Sequence, residues 1–330
     1  MIQKFSRDLK YTLNAFSKLK VLVIGDLMGD KYIWGHNLRL SKEAPVPVIQ
    51  VQQDVYELGG AAHVAHNVNL LGARVYLCGL VGFDDAAQSL RTALTEAGID
   101  SGGLFPTLTR PTTLKVRVMS SEYNTHLARF DYESNQPLTD PEMASLEGYL
   151  ESFLDEINVI IISDYAKGIF NREQFAKFTI ESANRAKIPT IVDTKPTHFK
   201  RFKDASVVIC TLKEAKEYIL LNRYIPMVDV DEIGNTLLEM SECKCLIIIH
   251  EDKGFFLSVF GQENFTSNGV AKKVYDSVGI EDTVTSVLAL SLASGLNLQK
   301  SINLVMRAVD IVSSKPGTSV VTKAELMSAL

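Results

Sequence analysis

The sequence predicts an α/β fold: a central, mostly parallel sheet flanked by helices on both faces, with a small β-lid beside it. Three observations carry this. Six short runs, residues 21–24, 75–80, 159–162, 190–192, 207–209 and 246–249, are apolar at consecutive rather than alternate positions, as strands buried on both faces are. Between them lie stretches of helical period, 62–71, 86–97, 142–154, 173–186 and 213–221. Buried strands alternating with amphipathic helices make a parallel sheet covered on both sides. Two further segments are half-polar instead. In 112–119, Leu114, Val116 and Val118 alternate with Lys115 and Arg117; in 126–132, Leu127 and Phe130 are apolar while Arg129 and Asp131 are polar. With 120–125 as the turn, they read as a hairpin outside the main sheet.

In chain order, residues 1–20 are basic and mildly amphipathic through Phe5, Leu9, Leu13, Phe16 and Leu19. They read as a short leading helix packed on the body, without the apolar core or small-residue cleavage site of a secretory signal. The first apolar run ends at Gly25-Asp26, with Asp30 one helical turn on. A carboxylate there can grip two sugar hydroxyls, and it can equally be a cap or turn residue. Segment 45–51 carries Pro45 and Pro47, which a strand tolerates only at an edge. Gly59-Gly60-Ala61-Ala62 opens a helix that holds Asn67. Such small residues admit a ligand hydroxyl or another backbone, although plain helix-to-sheet packing explains a lone glycine pair as well. His63 and His66, three apart on that helix, have metal-ligand spacing; without HExxH or a carboxylate partner the metal reading is the minor one. Residues 136–141 form a loop into a helix, with Asp140 near its cap.

Lys115, Arg117 and Arg129 share the hairpin, and Lys167 and Lys195 follow later strands. These cations can hold an anionic substituent or simply form a solvated face. In parallel sheets, ligands sit at the carboxyl ends of the strands. That rule selects Gly25-Asp26, Ser163-Asp164, Asp193 and the turn at 279–283.

This last turn is the most informative stretch. Val278-Gly279-Ile280-Glu281-Asp282-Thr283 runs straight into an apolar helical segment, 284–292. A glycine turn opening a helix aims several backbone N–H groups and the positive end of the helix dipole at one spot, which suits a phosphate. Asp282 stands where it can take a proton from a nearby hydroxyl. These are two parts of a phosphoryl-transfer enzyme. Glu281 adds a second negative charge where a small residue is expected, and acidic residues at a helix start are also favoured without any catalysis.

The 330 residues are 46% hydrophobic and 22% charged, enough for one large domain or two smaller ones. We expect a single domain over 1–330, with lid segments at about 31–52 and 107–133. The net charge of −5 and the lack of a basic run argue against nucleic-acid binding. No apolar run approaches the ~18–20 residues of a membrane helix. Cys78, Cys210, Cys243 and Cys245 lack a paired metal spacing and read as reduced thiols of a cytoplasmic protein.

From about residue 20 to its end, the chain resembles the ribokinase-like (PfkB) carbohydrate kinases. The resemblance is strongest to the D-glycero-β-D-manno-heptose 7-phosphate kinases of lipopolysaccharide core synthesis, free-standing or as half of a bifunctional enzyme. It rests on residues 25–30, Ser41 to Val48, Gly59 to Ala62, Lys115-Val116-Arg117, Arg129-Phe130-Asp131, Ser163-Asp164-Tyr165-Ala166-Lys167-Gly168 and Gly317-Thr318-Ser319. It implies a Rossmann-type domain with a β-lid that often forms a homodimer. It also implies magnesium-ATP as phosphoryl donor and the anomeric hydroxyl of the heptose 7-phosphate as acceptor. On that resemblance Asp282 is the base, and the backbone of Gly279, Ile280 and Glu281 is the anion hole. Asp26, Gly59, Gly60, Asn67, Lys115, Arg117, Arg129 and Lys167 hold the sugar phosphate. Asp193, Lys195, Thr211, Glu214 and Gly254 line the nucleotide, with Glu214 linked to the metal.

The departures from the family cluster on the nucleotide side. The family's Gly-Ala-Gly-Asp turn is Gly279-Ile280-Glu281-Asp282 here, and Thr-Pro-Asn becomes Ile209-Cys210-Thr211. A Thr-Arg-rich turn becomes 249–254, and the small face of a late helix becomes Met306-Arg307-Ala308-Val309-Asp310. A kinase-like protein that binds a sugar phosphate or a protein partner, with phosphoryl transfer lost or retuned, is the alternative; a kinase for another sugar is a third.

Overall fold

The computed structural model describes residues 2–123, 125–223, 229–250, 254–268, 279–315 and 319–330. Val278, residues 251–253 and Gly317-Thr318, each part of a stretch read above, lie outside the described residues. Helix α1 (Ile2–Ala15) leads into β1 (Lys20–Gly25), the long strands β2 (Leu27–Leu40) and β3 (Pro47–Gly60), then α2 (Ala61–Leu70) and β4 (Arg74–Gly82). There follow α3 (Asp85–Glu96), β5 (Leu104–Thr107), β6 (Thr113–Ser120), β7 (His126–Tyr132), α4 (Asp140–Phe153), β8 (Val159–Asp164) and α5 (Glu173–Ala186). Next come β9 (Thr190–Thr194), a 3-10 segment (Pro196–Phe202), β10 (Val207–Thr211), α6 (Leu212–Arg223), α7 (Val230–Ser241) and β11 (Cys245–His250). The chain closes with β12 (Gly254–Val259), β13 (Phe265–Asn268), α8 (Ile280–Ala293), α9 (Leu298–Val312) and α10 (Lys323–Ser328).

Nine strands form the main sheet in the order β13-β12-β11-β10-β9-β8-β1-β4-β5. It is parallel from β11 through to β5 and antiparallel at β12 and β13. Its strands are buried on both faces, as their apolar runs require. Val21, Val23, Ile161, Ile191 and Ile209 pack with α2, α8 and α9 in one core. Their neighbours Leu22, Ile24, Ile160, Ile162 and Val208 pack with Phe170, Phe175, Phe199 and Phe202 in the other. Strand β1 has β4 on one side and β8 on the other, so the order reverses there. A ligand crevice is expected at the carboxyl ends of strands flanking such a point. The two strand ends are tight: a Cβ on Gly25 would lie 2.0 Å from the Ser163 carbonyl oxygen.

The second sheet is four-stranded, β3-β2-β6-β7. The hairpin lies where its alternation put it, and the 45–51 prolines fall at or beside the start of an edge strand. The bounds differ from the expected 31–52 and 107–133. The sheet starts at Leu27, reaches Gly60 and stops at Tyr132, whereas Thr107 belongs to β5 in the main sheet. Asp30, read as a helical turn after Asp26, is on strand β2 opposite Glu57 and Lys115. The sequence hid β2 because Gly29, Asp30, Lys31 and Gly35 interrupt any apolar pattern. The leading helix does pack on the body through Leu9, Leu13, Phe16 and Leu19, all buried. Asp140 is one residue inside α4; the cap is Thr139, in a capping box with Glu142. All four cysteines are buried free thiols.

Candidate active site

Helix α8 is capped by Gly279, whose φ of 81° and ψ of 1° put it in the left-handed region, where side chains are strained. Space excludes a side chain as well: a Cβ there would stand 2.9 Å from Cε1 of His63. From Asp282 to Ser291 the helix is buried all round, and Ser286 and Ser291 spend their hydroxyls on the carbonyls of Asp282 and Val287. The first-turn N–H groups thus stand on a helix that is packed into the core from Asp282 onward.

Asp282 is held by two other elements. Its Oδ2 lies 2.7 Å from His63 Nδ1 on α2, and its Oδ1 accepts the Tyr165 hydroxyl at 2.9 Å from the loop after β8. Burial first, then the Asp282 charge, pushes the Tyr165 phenol well above its ordinary range, so Tyr165 is a hydroxyl donor. A cleft of roughly 210 Å³ opens beside this group, between the two sheets. Met28 and Asp30 of β2, Gly59 and Gly60 of β3, and Lys115 and Arg117 of β6 line one side. Tyr165, Lys195, Gly279, Glu281 and Asp282 line the other.

The expected sugar-phosphate set divides. Gly59 and Gly60 line the cleft; a Cβ at Gly59 would stand 2.5 Å from Asp30 Oδ2. Arg117 pairs with Asp30 and lies over the Tyr32 ring at 5.1 Å. Lys115 makes no ion pair among the described residues. Burial lowers its pKa, with Asp30 opposing, so it is a partly desolvated cation facing the cleft. Arg129 pairs with Asp131 at the surface and Lys167 with Glu133 at 2.7 Å; neither lines the cleft. Asp26 and Asn67 also sit elsewhere. Asp26 is buried, and its carboxylate accepts the backbone N–H groups of Tyr165, Lys167 and Ile169 at 2.9, 3.0 and 3.3 Å. Burial and then Asp164 push Asp26 up to about 6, against those three N–H groups. Asp26 therefore shapes the 165–169 loop and does not reach into the cleft. Asn67 is fully buried and donates to the His63 carbonyl at 3.1 Å.

On the side expected to take the nucleotide, Lys195 is the hub. Its Nζ lies 2.7 Å from Glu214 and 3.8 Å from Glu281, and 5.4 Å from the centre of the Tyr165 ring. Burial alone would lower its pKa, but Asp193, Glu281 and Glu214 together raise it. Burial and then Glu281 push Asp193 well above the usual carboxylate range. Thr211 and Glu214 cap α6 reciprocally, each accepting the other's backbone N–H. Gly254 opens β12 with φ of 101° and does not line the cleft.

Sequence reasoning missed two residues of this site. His63 was visible as half of a histidine pair, but it turns to Asp282, and no metal-holding group of three ligands occurs among the described residues. Tyr165 was visible as part of the 163–168 motif, with no signal for its partner.

Comparison with known proteins gives the family and the fold. The profile of the pfkB family carbohydrate kinases matches residues 18–324. The "Bifunctional protein HldE" of Shewanella sediminis (strain HAW-EB3) is 37% identical over 322 residues, covering 98% of this chain and 66% of that protein. That of Desulfatibacillum aliphaticivorans is 33% identical over 323 residues, covering 97% and 65%. The chain thus spans just under two thirds of the length of the curated relatives it matches. Among solved structures, Arabidopsis thaliana ribokinase complexed with ribose and ATP superposes with a TM-score of 0.72 at 15% identity, covering 94% of this chain and 98% of that one. Phosphofructokinase-2 from Escherichia coli in complex with potassium gives 0.75 at 14%, covering 94% and 97%. At these identities the two structures establish the shared fold.

Proposed function

The chain belongs to the pfkB family of carbohydrate kinases, and we propose that it transfers the γ-phosphoryl group of ATP to the anomeric hydroxyl of D-glycero-D-manno-heptose 7-phosphate, on the route to ADP-heptose and the lipopolysaccharide core. One observation carries the reading: Asp282 opens a rigid helix N-terminus onto a cleft with Lys115 and Arg117 on one side and Lys195 on the other. In the step proposed, Asp282 accepts the hydroxyl proton, the sugar oxygen bonds to the γ-phosphorus, and the bond to ADP breaks. The N–H groups at the start of α8, 279 to 281, face the transferring group. Gly59 and Gly60 let the sugar approach, and Lys115 and Arg117 meet its phosphate. Arg129 and Lys167 reach it only by leaving their ion pairs, and Asp26 and Asn67 serve indirectly, by holding the loop and helix behind the cleft. Asp193, Lys195, Thr211, Glu214 and Gly254 form the nucleotide side.

Magnesium would find hard oxygens here without a preformed cage: Glu214 and Glu281 lie 2.7 and 3.8 Å from Lys195 Nζ, and Mg²⁺ is usually held by one or two carboxylates plus substrate phosphates. Glu214 would hold it, and it would offset phosphate charge.

The test is ATP consumption with and without the heptose 7-phosphate. We expect turnover only with it, and a larger thermal upshift from the sugar phosphate than from magnesium-ATP, since ligands of the native state stabilise by mass action. Equal turnover with ribose 5-phosphate or fructose 6-phosphate would remove the substrate assignment. Stabilisation by magnesium-ATP alone would remove the sugar-side one.

We also propose a cytoplasmic homodimer formed through the second sheet, which acts as the lid of a single domain. Lys115 and Arg117 line the cleft, so the alternate residues Leu114 and Val116 point away from it. They pair with Tyr132 and Phe130, which are 56% and 54% exposed. An apolar face of this kind usually marks an interface, and a second copy is its proposed occupant. Light scattering that finds only monomer at micromolar concentration would refute it. No helix among the described residues is long and apolar enough to cross a membrane.

A further inference from the structure

Both oxygens of Asp282 are already engaged by the protein, and one of the two partners is an imidazole. His63 Nδ1 lies 2.7 Å from Asp282 Oδ2, with the two side chains only 2% and 7% exposed. A carboxylate offers acceptors alone, so the proton of this contact sits on His63 Nδ1. The ring is itself immobilised. It stands on the first turn of α2, its Cε1 packs against Gly279, and with Nδ1 donating to Asp282 the Asn67 amide, 3.5 Å away, donates to Nε2. Tyr165 grips the other oxygen from the opposite element. Two donors on separate oxygens fix the plane of a carboxylate that a single donor would leave free to rotate.

We propose that His63 is a positioning residue: its Nδ1–H, with the Tyr165 hydroxyl, fixes the orientation in which Asp282 meets the acceptor hydroxyl. The inference rests on the reading of Asp282 as the base. Geometry makes the effect large, because a base works only within hydrogen-bond reach of its proton, and a misplacement of about 1 Å can cost ~10²-fold in rate. A purely structural pair tying α2 to α8 would also be buried and short. The two roles separate in kinetics.

Asparagine can bring its amide N–H to about the place of His63 Nδ1; glutamine carries its amide further out, near Nε2. His63→Gln is expected to lower kcat by ~10- to 100-fold, with KM for both substrates changed less than about threefold. His63→Asn is expected to recover most of that loss. In an Asp282→Asn background His63→Gln should cost nothing further, because residues acting as a unit are non-additive. Melting temperatures taken on every variant report the structural contribution separately. The proposal is overturned if His63→Gln turns over like the wild type, if Asn and Gln lose activity equally, or if the Gln loss persists without the Asp282 carboxylate. Failure of the underlying reading looks different: Asp282→Asn alone would then leave turnover intact.

Discussion

Asp282→Asn is expected to lower turnover by at least ~10²-fold, the contribution typical of a general base, while the protein keeps its fold. The substitution removes proton acceptance and little else. The amide oxygen can still accept the Tyr165 hydroxyl. The amide N–H would meet the Nδ1–H of His63, two donors face to face, but imidazole can move its proton to Nε2 and turn Nδ1 into an acceptor. The buried contact between α2 and α8 is then remade with the opposite polarity. Stability should therefore change by no more than the ~0.5–3 kcal/mol of an ordinary substitution. Steady-state ATP consumption with the heptose 7-phosphate, run beside a thermal melt, checks both halves. If more than about a tenth of the turnover survives in a well-folded variant, Asp282 is not the base, since loss of a general base costs ~10²–10⁴.

The sequence made the main sheet legible because its strands are buried on both faces and announce themselves as continuous apolar runs. Helix α5 was read to the residue because its buried positions keep one helical period; strand β7 was read to the residue although Leu127 falls on the face of Arg129 and Asp131. Strand β2 was not legible. It faces a polar cleft on one side, so its residues answer to that cleft and to Arg117 rather than to a hydrophobic core. The candidate site divides the same way. Gly279 and Asp282 were readable because a helix start is a local event. The employment of Asp26 was not, because it depends on N–H groups beginning 139 residues further on. His63 finds its partner 219 residues away, and no local pattern distinguishes it from His66, which lies half-buried one turn on.

Glu281→Gly is expected to raise kcat/KM for ATP by at least about tenfold, a change of about 1.4 kcal/mol. Two defects were conceivable for a glutamate in this turn. The first, strain from a left-handed backbone, falls away: the positive-φ residue is Gly279, and Glu281 is not among the non-glycine residues with positive φ. It sits in the regular first turn of α8. The second is charge. A carboxylate about 4 Å from a phosphoryl oxygen repels it by about 4 kcal/mol at an effective dielectric constant of 20. Lys195, 3.8 Å away, offsets part of this, and solvent screens more, which is why the expected gain is well below the full repulsion. Removing the carboxylate also frees Lys195, left with Glu214, to turn toward a nucleotide phosphate. The stability cost is small: about 0.3–1 kcal/mol of helix-dipole attraction and about 1 kcal/mol for glycine in a helix. Glu281→Gln, which keeps the side chain and loses the charge, should move the rate in the same direction. If both variants instead turn over more slowly than the wild type, the carboxylate is a working part of the nucleotide site, the behaviour of a magnesium ligand. The departure from the family turn would then be an adaptation of how this chain holds its phosphoryl donor.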